Sequence, residues 1–209
     1  LMGFSMPQLC FEENDRLDIT EYTQAAMVTA SIAMMRVLEE NGIKPDVAAG
    51  LSLGEYCALA AAGVMSDEDA IRTVRQRGIL MQEAVPVGEG AMAAILALDA
   101  SAIEEVTGAM EGVWIANYNC PGQIVISGEK AAVEEACEKL KAAGAKRAVM
   151  LNVSGPFHSG MLADAGEKLG EVLSQVELHE PQIPYVANVT AQYVKSAAEV
   201  KELLTRQVS

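Results

Sequence analysis

Histidine is almost absent from this chain: among 209 residues only His158 and His179 carry an imidazole. Any chemistry that needs a neutral base near physiological pH must draw on one of those two positions. Cysteine is also scarce, and Cys10, Cys57, Cys120 and Cys137 share no C-x-x-C spacing. That scatter argues against a zinc site and predicts four free thiols in a reducing compartment. Although 51% of the residues are apolar, charges interrupt them everywhere and no run reaches membrane-spanning length. The opening Leu1-Met2-Gly3-Phe4-Ser5-Met6-Pro7 has no basic flank of the kind a secretory signal carries. Positive charge is the minority, 15 Lys and Arg against 29 Asp and Glu for a formal net charge of −14, which opposes non-specific nucleic-acid binding. These absences predict a cytoplasmic protein with no membrane and no nucleic-acid partner and no bound metal. The length suffices for one domain, or a domain with an inserted lobe.

What is present is concentrated in Gly50-Leu51-Ser52-Leu53-Gly54-Glu55-Tyr56. This G-x-S-x-G follows the apolar Val47-Ala48-Ala49 and precedes the helix-forming Cys57-Ala58-Leu59-Ala60-Ala61-Ala62. Strand, sharp turn and helix in that order form a nucleophile elbow, whose tight backbone favours glycine on both sides of the serine. The hydroxyl of Ser52 then stands at a helix N-terminus, where unpaired N–H groups can stabilise an oxyanion. Its base is sought between two histidines. His158 lies in a loop of turn formers, Asn152-Val153-Ser154-Gly155-Pro156-Phe157-His158-Ser159-Gly160, after the apolar Ala148-Val149-Met150-Leu151. His179, in Leu178-His179-Glu180-Pro181, reads as part of a solvated connector. His158 is the expected general base.

Periodicity organises the rest. Thr23 to Asn41 predicts a helix with an apolar face of Ala26, Met27, Ala30, Met34, Val37 and Leu38, stopped at Gly42. Ile43 to Ala49 leads through Pro45 into the strand before the elbow, and Ser66-Asp67-Glu68-Asp69 caps the helix that carries Val74, Arg77, Leu80 and Met81. Spacing alone does not single out Arg77, which reads with Arg72 and Arg75 as a solvent-facing charge. From Gly88 the pattern becomes strand Ala91–Leu98, helix Ser101–Met110, strands Val113–Asn119 and Gln123–Ser127, helix Glu129–Ala143 and strand Arg147–Val153. That β-α-β-β-α-β order is the ferredoxin-like plan. A helix from Met161 to Val176, a strand from Ile183 to Asn188 and a helix from Ala197 to Gln207 complete the chain. The expected fold is therefore α/β: a hydrolase-like parallel-sheet lobe with a nucleophile elbow, 1–87 and 154–209, and an inserted ferredoxin-like lobe, 88–153. Ser52 and His158 would meet across a cleft between the lobes.

Two other functional classes fit parts of this pattern. An RNA-binding module would use aromatics on the ferredoxin-like sheet, where Trp114 and Tyr118 stand, but the acidic balance and the lack of a ribonucleoprotein motif oppose it. A serine hydrolase such as a thioesterase would need an orienting carboxylate between serine and histidine in sequence. Asp67, Asp69, Asp99 and Glu104 are the candidates there, with Asp164 beyond the histidine.

Four motifs in series carry a family resemblance. They are the elbow, then Arg75-Gln76-Arg77-Gly78-Ile79-Leu80-Met81-Gln82, then Asn119-Cys120-Pro121-Gly122-Gln123-Ile124-Val125-Ile126-Ser127-Gly128, and Gly155-Pro156-Phe157-His158-Ser159. In order and spacing they resemble the malonyl-CoA:acyl carrier protein transacylases along nearly the whole chain. The resemblance implies transfer of a malonyl group from malonyl-CoA to the phosphopantetheine thiol of acyl carrier protein, with no cofactor. It makes Ser52 the acylated residue, His158 its base and Arg77 the partner of the malonyl carboxylate. It further assigns the Leu53 N–H to the oxyanion hole and Met81, Asn119 and Phe157 to substrate binding, the bulk of Phe157 disfavouring a substituted α-carbon. An acyltransferase part of a polyketide synthase is the neighbouring alternative. Leu51 stands where the family usually has histidine. The family's leading strand with its Gly-Gln-Gly loop and its segment beyond Val208 are expected to be missing, and with them part of the activity. Since the chain and its carrier would both be acidic, docking would need a local basic patch. Lys139, Lys141, Lys146 and Arg147 are candidates, although a solvated helix face explains them more simply.

Overall fold

The computed structural model describes residues 2–86, 88–153 and 155–209. Leu1, Val87 and Ser154, which bound the segments expected above, lie outside the described residues. In chain order the first elements are α1 (Met6–Phe11), α2 (Thr20–Glu40), β1 (Ala48–Ala49), α3 (Gly54–Ala61), α4 (Asp67–Ala84), β2 (Gly90–Leu96) and α5 (Ala100–Gly108). There follow β3 (Val113–Cys120), β4 (Gln123–Glu129), α6 (Lys130–Ala142), β5 (Arg147–Met150), a helical turn Gly160–Leu162, α7 (Ala163–Ser174), β6 (Tyr185–Val186) and α8 (Ala197–Gln207). The chain divides into two units, Leu1–Leu80 with Gly166–Gln207 and Met81–Ala165 with Val208–Ser209. Together they hold one parallel and one antiparallel sheet in an α/β fold.

In the first unit β1 and β6 pair in parallel, Ala48 with Tyr185 and Ala49 with Val186. β6 is shorter than Ile183–Asn188 suggested, and β1 occupies only the end of the stretch Ile43–Ala49, beyond Pro45. Pro45 has no N–H for a ladder and Val47 is exposed, so pairing starts only where the Ala48 N–H reaches the Pro184 carbonyl at 2.9 Å. The N-terminus of α4 follows the expectation: the Ser66 hydroxyl accepts from the Asp69 N–H at 3.0 Å and donates to the Asp69 carboxylate at 2.7 Å. Helix α1 was not expected, although Ser5 accepts from the Gln8 N–H and Pro7 occupies the first turn.

Helix α2 presents a largely different face from the predicted one, of which only Ala26 is buried. Thr20, Gln24, Ala25, Ala26, Val28 and Ile32 are buried, whereas Met27, Ala30, Met34, Val37 and Leu38 are exposed. Close approach of α4 selects the small and polar side: a Cβ built on Gly78 would lie 2.7 Å from Glu21 Cα and 3.0 Å from the Thr20 carbonyl oxygen. Nor is Arg75 a solvated charge. Its guanidinium packs over the rings of Phe4 and Tyr22, at 4.9 and 5.1 Å, and pairs with Glu21 at 3.2 Å.

The second unit contains the antiparallel sheet, in the order β3-β4-β2-β5. Strand alternation gives it two faces. Ala93, Ile95, Ile124 and Ile126 pack with Ile103 of α5 and Val133, Ala136 and Leu140 of α6. Met92, Ala94 and Val125 point the other way, against Ala116, Leu151 and Phe157. β5 ends at Met150 rather than Val153, although the Leu151 N–H still reaches the Met92 carbonyl at 2.8 Å. Among the described residues, no helix is long and apolar enough to cross a membrane.

Candidate active site

The turn between β1 and α3 is built around a strained residue. Ser52 has φ of 51°, a left-handed conformation that costs a non-glycine residue on the order of 1–3 kcal/mol. Gly50 makes the turn possible, because a Cβ there would lie 2.1 Å from the backbone carbon and oxygen of Gly54. A Cβ on Gly54 would meet nothing within 4 Å, so only the first of the two glycines is required by close approach. The turn closes through Gly54 N to Leu51 O at 2.9 Å, Glu55 N to Ser52 O at 3.1 Å and Tyr56 N to Leu53 O at 3.2 Å. These bonds leave out the Leu53 N–H, which stands just ahead of the first turn of α3. Two distant side chains hold the serine backbone: its N–H donates to Asn188 Oδ1 at 2.7 Å, and its carbonyl accepts from Gln207 Nε2 at 3.0 Å.

Arg77, on α4, reaches the same turn. Its Nη2 donates to Ser52 Oγ at 2.9 Å and to Gln207 Oε1 at 3.0 Å, and its Nη1 donates to Gln24 Oε1 at 2.7 Å. Only 1% of Arg77 is exposed, yet among the described residues it forms no salt bridge and its Nε has no hydrogen-bond partner. Burial pushes the guanidinium pKa down, while the charges of Tyr56 and Glu55 push it up. A cation taken out of water costs several kcal/mol unless it is paired. Neutral amides and a hydroxyl accept from its two Nη atoms, and the buried Glu55 acts on it without pairing directly.

Glu55 lies beneath the serine and is 1% exposed. Its carboxylate accepts from the Tyr185 hydroxyl, from Gln207 Nε2 and from the Asn188 N–H at 3.2 Å. Burial raises its pKa, opposed by those three hydrogen bonds and by the positive charge of Arg77. Tyr185 is pushed up in turn by burial and by the carboxylate it bonds.

His158 belongs to the second unit and is half-buried, also at a positive φ, 57°. Ser52, Ala97, His158 and Ala191 are the non-glycine residues with positive φ among the described residues, so both residues selected from sequence hold strained backbone. The loop around His158 is fastened to its own sheet. The Ser159 hydroxyl donates to the Pro156 carbonyl at 2.7 Å, and the Pro156 ring packs so tightly on Gly90 that a Cβ there would lie 2.4 Å away. Gly160 receives the Trp114 ring in the same way, at 2.7 Å. Phe157 packs against the Met92, Ala94 and Val125 cluster.

Of the predicted site residues, the first unit thus gathers Ser52, Leu53 and Arg77. Met81 is buried four residues after Arg77, on the same side of α4. Asn119 is exposed near the end of β3 in the second unit. His179 is exposed. Several carboxylates weighed for a hydrolase have structural partners, Asp67 with Arg36 at 2.6 Å, Asp69 with Ser66, and Glu104 with the Tyr118 hydroxyl at 2.7 Å. Lys139 and Lys141 pair with Glu135 and Glu138 on the exposed face of α6. Sequence reasoning did not assign Gln24, Glu55, Asn188 or Gln207 a role. Glu55 was within the elbow motif, and Thr20 and Gln24 at four-residue spacing were the signal of a polar stripe on α2.

The strained serine and the buried arginine stand in an α/β fold, and residues 1–207 match the acyl transferase domain family, to which the chain therefore belongs. Within it, the chain is similar to the malonyl CoA-acyl carrier protein transacylases. It is 50% identical over 208 residues to that of Bacillus subtilis (strain 168), covering 97% of this chain and 66% of the relative. It is 42% identical over 201 residues to that of Staphylococcus aureus (strain COL), covering 94% and 65%. The chain spans about two thirds of the length of these curated relatives. An acyl carrier protein S-malonyltransferase from Vibrio cholerae superposes with a TM-score of 0.95 at 42% identity, covering 99% of this chain and 69% of that one. A malonyl-transacylase solved in complex with a type II polyketide-synthase acyl carrier protein gives 0.95 at 44%, with the same coverage.

Proposed function

We propose that the chain transfers a malonyl group from malonyl-CoA to the phosphopantetheine thiol of an acyl carrier protein through a malonyl ester of Ser52. The observation that carries the reading is Arg77, a buried guanidinium with neutral partners, bonded to Ser52 Oγ. A carboxylated acyl group delivered to that oxygen supplies a direct anionic partner, and a planar guanidinium offers it paired donors. The turn around Ser52 is read as a nucleophile elbow, and 88–153 as an inserted ferredoxin-like lobe between 1–87 and 154–209, supported by the strand order β3-β4-β2-β5. His158 acts as general base, supported by its motif and its strained backbone. Cytoplasmic chemistry fits the four free cysteines.

In the first step Ser52 Oγ attacks the thioester carbonyl while its proton passes to His158. The Leu53 N–H donates to the oxyanion. Collapse expels the CoA thiolate, which takes the proton from His158, and leaves the malonyl ester. In the second step His158 takes the proton of the carrier's thiol, the thiolate attacks the ester carbonyl, and the Ser52 oxygen leaves with the proton returned by His158. Met81, Asn119 and Phe157 are assigned to the substrate pocket, Phe157 limiting branching at the α-carbon. Intact mass spectrometry tests the reading. Malonyl-CoA should add one malonyl group, and a holo acyl carrier protein should remove it faster than buffer does. An adduct that decays equally fast in both would indicate a hydrolase instead.

A further inference from the structure

Both backbone hydrogen-bonding groups of Ser52 are held from outside the turn, the N–H by the Asn188 side chain and the carbonyl by Gln207 Nε2. Each holder is in turn bonded to one carboxylate. Glu55 accepts the Asn188 main-chain N–H at 3.2 Å, a Gln207 N–H and the Tyr185 hydroxyl. We propose that Glu55 is a positioning residue for acyl transfer: its carboxylate fixes Asn188 and Gln207, and they fix the strained backbone that aims Ser52 Oγ.

The chemistry of Gln207 makes the arrangement directional. An ionised carboxylate only accepts and a guanidinium only donates. Gln207 must therefore turn its nitrogen to Glu55 and its oxygen to Arg77, where Nη2 lies at 3.0 Å. In that orientation its two N–H bonds are divided between Glu55 and the Ser52 carbonyl. Reversing the amide would set its nitrogen against Arg77 and its oxygen against Glu55, which both partners oppose. The carboxylate thus determines which end of Gln207 meets the nucleophile. Glu55 is too deeply buried to meet substrate, so it acts through its neighbours.

Glu55→Gln keeps the size and loses this polarity. The new amide can accept from Tyr185 and Asn188 only by turning its own nitrogen to that of Gln207. The inference rests on Ser52 being the nucleophile proposed above, so the test uses a fluorophosphonate probe, which reacts with activated serines whatever their natural acyl donor. On the full chain, Glu55→Gln should slow fluorophosphonate labelling and malonyl-ester formation alike by about 10²-fold, the scale of a misplacement near 1 Å. Near-isosteric Gln207→Met should do the same. Because the two act in one chain of contacts, the double variant should be little slower than either single one. Tyr185→Phe, which leaves the Gln207 bond, should retain most of the rate, whereas loss of thermal stability without loss of labelling would make Glu55 merely structural. Unchanged labelling in Glu55→Gln, or additive penalties in the double variant, would overturn the proposal. If the wild-type chain takes the probe but no malonyl group, the substrate reading fails and the positioning test still stands. If Ser52 takes neither, the nucleophile reading falls and this inference falls with it.

Discussion

Arg77 Nη2 lies 2.9 Å from Ser52 Oγ, and the guanidinium that makes this contact is almost fully buried. A buried arginine normally faces a carboxylate, because only an anion offsets the desolvation of the cation. Here Gln24, Gln207 and Ser52 accept from its two Nη atoms, its Nε has no partner among the described residues, and Glu55 acts on it without forming a salt bridge. On the function proposed above, the same atom would touch the reacting oxygen and meet a negative group arriving with the substrate.

Strain at Ser52 predicts a separation of stability from activity. Ser52→Ala and Ser52→Gly both remove the hydroxyl and should abolish the malonyl adduct. Glycine tolerates a φ of 51° and alanine does not. The glycine variant should be the more stable of the two by about 1 kcal/mol in urea unfolding. Equal stabilities would mean that the turn is not strained.

The two histidines should respond very differently. His158→Ala is expected to lower malonyl transfer on the order of 10²–10⁴-fold, the usual worth of a general base. His179→Ala, at an exposed connector, should change the rate by less than about twofold. Comparable losses in single-turnover rates would remove His158 from its role.

The two glycines that flank Ser52 in the turn should also differ. A methyl group on Gly50 would overlap the Gly54 backbone, so Gly50→Ala should cost about 3 kcal/mol or more. Gly54→Ala meets open space and should change stability by no more than about 1 kcal/mol. Denaturant melts of both variants decide whether close approach or helix propensity governs this motif.

Burial at Glu55 gives a pH signature. Its folded pKa is raised above its ordinary value near 4.5, so between those two values the native state holds a proton that the unfolded chain has released, and above them both are ionised. Stability must then fall as pH rises through that window, the reverse of a salt-bridged carboxylate. Wild type should lose stability relative to Glu55→Gln on going from pH 4 upward, while its serine becomes more reactive as the carboxylate ionises. A stability difference independent of pH would show that Glu55 titrates normally.

What could be read from sequence was local. The cap at Ser66, the span Ala197–Gln207 and the turn at Ser52 are dictated by neighbours within a few residues, and all three are found in the structure. The face of α2 was misread because its packing depends on Gly78 of another helix. Arg77 looked like a solvated charge for the same reason. Its partners Gln24 and Gln207 lie 53 and 130 residues away in sequence, and no periodicity within α4 announces them. Glu55 was visible as a letter of the motif, but a glutamate on a short helix reads as exposed until Tyr185, Asn188 and Gln207 are brought around it.

The most direct measurement is a competition. The chain and its Arg77→Ala variant are each exposed to equimolar malonyl-CoA and acetyl-CoA, and the acyl groups on Ser52 are counted by intact mass. If Arg77 pairs with the incoming carboxylate, wild type should carry malonyl, and the variant's malonyl-to-acetyl ratio should fall at least about thirtyfold, equivalent to the loss of ~2 kcal/mol of charge pairing. Arg77→Lys should recover only part of it, since an ammonium cannot make the forked contact. A ratio unchanged by Arg77→Ala would contradict the account, because the carboxylate would then be held by another group.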